Sequence, residues 1–187
     1  GNYDFWIVKI DASGTKQWEQ EYGGSGNDQL SALQQTSDGG YIVGGSSDSP
    51  VSGNKTTPHF GTQDDYWVLK LDSNGNKQWE QSFGGTDDGD TLLALQQTTD
   101  GGYILGGYSG STPSGNKTTP TFGGDDYWVV KLDAAGNKQW EQIYGGNQSD
   151  WLSSLQQTTD GGYVFGGNTP ASPGGNKSAG SFGGYDA

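Results

Sequence analysis

Trp6, Trp67 and Trp128 stand 61 residues apart, in the segments FWIVKID, YWVLKLD and YWVVKLD. A fixed spacing of this size marks one structural unit used in tandem, a unit that cannot bury its apolar face without its neighbours. The rest of the chain follows the same period. Trp18, Trp79 and Trp140 sit in three KQWEQ segments, and Leu33, Leu95 and Leu155 head three LQQT segments, each followed by DGGY and a glycine pair. Lys55, Lys117 and Lys177 belong to three GNK triplets, with Phe60, Phe122 and Phe182 five residues later. The DGGY spacing is 62 and then 60, so the second copy carries one extra residue, inside GGTDDGDT.

All nine lysines occupy three repeated positions and there is no arginine, whereas the lone His59 aligns with Thr121 and Ser181. The repeated framework is therefore structural, and individuality lies in the loops. We divide the chain into copies at 1–64, 65–125 and 126–187. Residues 184–187 match Asn2-Tyr3-Asp4-Phe5, so the last copy is expected to carry the start of a fourth, and the chain reads as a piece of a longer array.

Within the second copy, Tyr66 to Asp72 is a mostly apolar run, as in a strand buried on both faces. Asp72-Ser73-Asn74-Gly75-Asn76 supplies turn chemistry. Lys77 to Phe83 alternates, placing Trp79, Gln81 and Phe83 on one face and Gln78, Glu80 and Ser82 on the other. Leu92 to Thr98 and Tyr103 to Gly107 complete four strands, and a Ser/Thr/Gly/Pro-rich loop leads to the next copy. Such spacing predicts an all-β chain with one four-stranded antiparallel sheet per copy. Sheets of this kind must pack on each other, and β-propeller blades are the leading arrangement. The period exceeds the roughly 40–50 residues usual for propeller repeats, an excess the long loop absorbs. A threefold β-trefoil or β-prism is the alternative. The 35 glycines and 29% hydrophobic content would suit a low-complexity chain, but 7 Trp, 10 Tyr and 6 Phe supply enough ring surface for a core.

A formal charge of −13 repels phosphate backbones and argues against nucleic acid and anionic membranes as partners. No apolar run approaches the roughly 18 residues of a bilayer span, so no membrane insertion is expected. Cysteine is absent, which removes disulfide and thiolate–metal chemistry.

The string DYWVVKLD, GNKQWEQ, LQQTTDGGY, GNK and FGG resembles repeats of secreted Bacteroidetes proteins and of archaeal surface proteins, over essentially the whole chain. The resemblance implies a propeller-type, extracellular or cell-surface, multi-repeat protein. In Bacteroidetes such proteins often carry a sorting domain for type IX secretion, which this chain lacks.

No Ser-His-Asp set exists, and the acidic cluster Asp87, Asp88 and Asp90 reads as a solvated turn more readily than as an acid/base pair. No cofactor is implied. The one ion these oxygens suit is Ca²⁺, with Asp64-Asp65 and Asp125-Asp126 as the candidate ligands. The first and second Trp sets are expected in the core. Trp151 and Tyr108 stand at positions that do not repeat and are the candidates for stacking on a glycan. Asn54, Asn116 and Asn176 each open an N-x-[ST] triplet, and Asp90-Thr91-Leu92 resembles a Bacteroidetes O-glycosylation motif at Thr91. The expectation is a non-catalytic extracellular repeat scaffold, adhesin-like or filament-forming. Its expected partners are further repeats or neighbouring copies of itself, since open sheet edges are adhesive. A glycan-binding propeller and a carboxylate-using hydrolase propeller are the alternatives.

Overall fold

A computed structural model describes residues 1–170 and 173–180. Phe182 and the 184–187 segment, where a fourth copy is expected to start, lie outside the described residues. The described chain is all-β, with twelve strands, and none of it forms a helix long and apolar enough to cross a membrane.

Each copy supplies four strands. The first gives β1 (Phe5–Ile10), β2 (Lys16–Tyr22), β3 (Asp28–Gln35) and β4 (Tyr41–Ser47). The second gives β5 (Asp65–Leu71), β6 (Lys77–Phe83), β7 (Asp90–Gln97) and β8 (Tyr103–Ser109). The third gives β9 (Asp126–Leu132), β10 (Lys138–Tyr144), β11 (Trp151–Gln157) and β12 (Tyr163–Asn168). All strand pairing is antiparallel, in four sheets.

The sheets do not coincide with the copies, which corrects the expectation of one sheet per copy. Strands β3-β4-β5-β6 form one four-stranded sheet and β7-β8-β9-β10 the next, while β1-β2 and β11-β12 form two-stranded sheets at either end. Each internal sheet thus joins the last two strands of one copy to the first two of the following one. The physical reason is the long loop. It returns the chain so that β4 lies beside β5, with Tyr41 opposite Leu71 and Ser47 opposite Asp65. Strand 2 instead ends at a glycine pair, and strand 3 opens a new sheet.

Local chemistry explains the hairpins. Asp72 Oδ1 accepts the backbone N–H groups of Asn74 (2.8 Å) and Asn76 (2.9 Å), and Gly75 takes φ 84°. Asp11 and Asp133 repeat the arrangement. Strand 3 carries a β-bulge in every copy, at Leu30/Ala32, Leu92/Ala94 and Leu152/Ser154. The bulge pushes a carbonyl toward strand 4, where only glycine fits. A Cβ on Gly107 would lie 1.9 Å from the Thr91 oxygen.

Three apolar layers separate the successive sheets. Phe5, Ile7 and Tyr22 pack on Val43, Trp67 and Leu69, while Tyr66, Val68 and Phe83 pack on Leu92, Leu105 and Trp128. Ile104, Val129 and Leu152 form the third layer. The LQQT glutamines link strand 3 of one sheet to strand 3 of the next. Gln97 N–H donates to Gln34 Oε1 (2.6 Å), and Gln97 Oε1 accepts from Ser37 N–H (2.8 Å). Gln96 and Gln157 continue the ladder.

Trp67 and Trp128 are fully buried, as expected of a strand covered on both faces, but Trp6 is 65% exposed. The segments are closely similar; the surroundings are not. Among the described residues β1 pairs only with β2, so nothing lies on its other edge. The second Trp set is only partly buried. Trp18 and Trp79 lie edge-on to Tyr41 and Tyr103, and Trp140, at 37% exposure, meets Tyr163 in the same way.

The two glycines of strand 4 should differ in tolerance. A Cβ at Gly106 would press only on the ends of Leu155 and Leu152, at 2.6 and 3.1 Å. Gly106→Ala should therefore cost about 1–3 kcal/mol by overpacking, and Gly107→Ala more than about 3 kcal/mol, because backbone must move. Urea unfolding of the two variants checks the order, and equal losses would contradict it.

Candidate functional site: the indole cradle between copies

The first strand of a copy is fixed by side chains of the copy before it. Lys70 Nζ, buried, donates to the Leu71 carbonyl (3.0 Å) and Gln78 Oε1 (3.2 Å), and pairs with Asp38 of the preceding DGG turn at 2.9 Å. Lys131 and Asp100 repeat this pair at 2.9 Å. Accepting from Thr36 and then from Lys70 holds the Asp38 carboxyl at about 2, and Thr98 with Lys131 does the same for Asp100.

The GNK lysine closes the other side. Lys55 Nζ donates to the carbonyls of Ser49 (2.9 Å) and Thr57 (3.1 Å) and stands 5.9 Å over the Trp67 ring. Burial pushes its pKa down, opposed by Asp65, Asp28 and Glu80. The Trp67 indole N–H donates to Glu80 Oε2 (2.9 Å), whose other oxygen accepts from Thr56 N–H at 2.6 Å. Phe5 covers the ring from the preceding sheet, with centroids 4.8 Å apart. Lys117, Trp128, Glu141, Thr118 and Tyr66 rebuild the cradle one copy later, with Lys117 at 5.8 Å and Tyr66 at 4.7 Å from the ring. Trp128 differs in one respect: its indole N–H is buried without a hydrogen-bond partner. The expected two-face reading of β6 places Glu80 and Ser82 together but gives no hint that both are buried.

At the third copy the same walls, among the described residues, line a cavity of about 210 Å³ bounded by Tyr127, Tyr144, Phe165, Asp150, Asn176 and Lys177. Tyr144 and Phe165 lie 4.9 Å apart along one wall. None of these residues was singled out as a binding residue from sequence. The available signal was alignment: Tyr127 falls on Phe5 and Tyr66, and Lys177 on Lys55 and Lys117.

The sequence-based candidates lie elsewhere. Asp65 and Asp126 are buried, whereas Asp64 and Asp125 are half-buried, and the two members of each pair do not converge. Asp125 Oδ2 instead accepts the Trp151 indole N–H at 2.9 Å. Among the described residues no group of three or more His, Cys, Asp or Glu side chains is placed to hold a metal ion. Trp151 is thereby half-buried and pinned, and Tyr108 is half-buried opposite Thr91, itself half-buried, so the pair does not form an open aromatic platform. Asp87 accepts from Thr112 N–H and Oγ, which lowers its pKa, and Asp88 caps Gly89. Asp87 thus joins two loops and Asp88 closes its own turn.

The three N-x-[ST] asparagines are clasps. Asn116 Oδ1 accepts from Gly84 N–H (3.0 Å) and its Nδ2 donates to the Ser82 carbonyl (2.8 Å). Asn54 and Asn176 do the same for Gly23 with Glu21 and for Gly145 with Ile143. The amide nitrogen that would carry a glycan is spent on the strand-2 backbone in all three copies.

No protein-family model matches the chain, and neither does any curated protein. The reading of the site rests on its geometry.

Burial raises the Asp65 carboxyl to about 8 and Asp90 to about 6. Asp65 Oδ2 accepts from Phe60 N–H (2.6 Å) while its Oδ1 has no partner. The folded chain therefore keeps a proton that the unfolded chain loses near 3.8, so this stabilisation is full below that pH and is lost as pH rises through about 8. Raising pH from about 6 to 8 should lower the unfolding free energy by roughly 2 kcal/mol, and Asp65→Asn should flatten that slope. Asp38 and Asp100 have the opposite sign, but their loss falls between about 4 and 2, outside this window. Urea unfolding across the range provides the check; an unchanged slope in the variant would contradict the assignment.

Proposed function

We propose that this chain is part of a non-catalytic extracellular repeat scaffold, of the cell-surface, adhesin-like or filament-forming kind, with its sheets arranged as propeller-type blades. One observation carries the reading: the repeated functional-looking side chains are consumed in joining copy to copy. Lys70 and Lys131 grip the preceding turns, Lys55 and Lys117 roof the indoles, and Glu80 and Glu141 accept from Thr56 and Thr118 of the preceding long loops. Of the loop carboxylates, Asp87 ties its loop to Thr112 of the long loop and Asp88 caps the adjacent Gly89. What varies between copies is loop surface, which suits contact rather than chemistry.

The stacked four-stranded sheets, each sharing strands between consecutive copies, support the blade arrangement, because blades are four-stranded and a strand lent across a boundary locks neighbours together. The resemblance to secreted Bacteroidetes-type repeats, often type IX secretion substrates, supports the extracellular placement. So does the combination of strong negative charge with a Ser/Thr/Asn/Gly-rich surface.

Glycan-array binding and a glycosidase panel test the reading. The scaffold should retain no glycan and turn over no substrate. Retention abolished by Trp151→Ala or Tyr108→Ala would establish a lectin in its place, and turnover lost in Asp87→Asn would establish a hydrolase.

A further inference from the structure

Five buried side-chain polar atoms of the described residues have no hydrogen-bond partner, and three of them are the same atom of one repeated residue. They are Oδ1 of Asp4, Asp65 and Asp126, at the head of each copy's first strand. A fourth is Asp90 Oδ1. Asp65 is 1% exposed and Asp90 fully buried. An acceptor kept from water and left without a donor costs stability unless something else meets it.

Two carboxylates close in on one point. Asp65 Oδ1 takes the space of a Gly84 Cβ, 1.8 Å from where that atom would stand, and Asp90 Oδ2 reaches within 3.0 Å of it. At Gly23 the same is done by Asp4 Oδ1 at 2.0 Å and Asp28 Oδ2 at 2.8 Å. Only a glycine after strand 2 leaves this room. Other contacts fix the pair in place. Asp65 Oδ2 accepts from Phe60 N–H (2.6 Å) and Asp90 Oδ2 from Gly85 N–H (2.8 Å), and the hydroxyl oxygen of buried Ser111 lies 3.1 Å from Asp90 Oδ2.

No ammonium group is close enough to balance the two carboxylates. Among the described residues their one ion-pair partner is His59, 3.9 Å from Asp65. Lys55 and Lys117 act on Asp65 and Asp90 only from a distance, because their N–H groups are spent on loop carbonyls.

We propose that Asp65 and Asp90 hold a calcium ion beside Gly84. Carboxylate and hydroxyl oxygens are the hard donors calcium takes, and Asp65, Asp90 and Ser111 supply them. Magnesium keeps several waters in a strict octahedron, for which a pair this buried leaves no place. With two carboxylates rather than three or more, the expected affinity is that of weak extracellular calcium modules. Asp65 thus finds its partner in Asp90 rather than in Asp64. Because Asp65 belongs to β5 and Asp90 to β7, the ion staples two successive sheets. The formal charge of −13 concentrates such a cation at the surface.

Calorimetric titration of CaCl2 into the EDTA-stripped full chain tests this, at about pH 9 where both carboxyls are ionised. Saturable binding with a Kd of ~0.1–1 mM is expected, with no saturable heat from MgCl2. Asp65→Asn and Asp90→Asn should each lower the number of ions bound by about one. If circular dichroism shows either variant unfolded, Ser111→Ala replaces it and should weaken binding several-fold. Absence of saturable calcium binding by the unmodified chain would overturn the proposal. So would equal binding of magnesium, the mark of surface screening, or folded variants that bind calcium as the unmodified chain does. None of these results bears on the scaffold reading, which keeps its own glycan and glycosidase tests.

Discussion

Trp67 sits beneath the Lys55 ammonium and against the Phe5 ring, both supplied by the preceding copy, while Glu80 of its own copy takes the indole N–H. The rest of the architecture depends on this arrangement. A tryptophan of the first strand is a large apolar surface that its own copy does not cover, so burying it requires a neighbour in register. The β4-β5 pairing, the lysine roof and the asparagine clasp all serve that register. Ring burial with a cation over its face is among the stronger single contributions a small sheet can obtain.

The ionic contacts specify as much as they stabilise. Withdrawing the Lys70 ammonium from water costs several kcal/mol, and the attraction of Asp38 alone does not return it. The Leu71 carbonyl and the Gln78 amide oxygen supply further acceptors, so the charge is satisfied only when the preceding DGG turn and the β5-β6 pair are both in place. A slipped strand would leave a buried, uncompensated charge. The same logic applies to Lys55, whose acceptors are loop carbonyls that exist only when the long loop is folded over the indole. In a chain with only 29% hydrophobic residues, this is an economical way to choose one register.

Much of this was legible in the sequence, and the failures have one cause. The four strands per copy, the Asx-stabilised hairpins and the buried state of Trp67 and Trp128 follow from periodicity and turn chemistry, which are local. Sheet membership does not: alternation says that Tyr41 to Ser47 is a strand but not that its partner is β5 of the next copy. Trp6 departs from the expectation for the same reason, because one residue type acquires different burial where, among the described residues, its strand is paired on one edge alone. Asn116 resembled a glycan acceptor because a three-residue motif is blind to Gly84 and Ser82, more than thirty positions away. Asp64-Asp65 resembled a chelating pair although strand geometry sends adjacent side chains to opposite faces. The cavity of the third copy had no local signature at all, since its lining comes from β9, β10, β12 and the following loop.

The central claim is that each copy's first strand is held by the copy before it, through its tryptophan. A double-mutant cycle between Phe5→Leu and Trp67→Leu, read by urea unfolding, tests it most directly, because the two rings belong to different copies and different sheets and lie 4.8 Å apart. The account predicts a coupling of about 1 kcal/mol, the scale of a buried aromatic pair. Strictly additive losses would show that the copies do not stabilise one another through this contact and would contradict it.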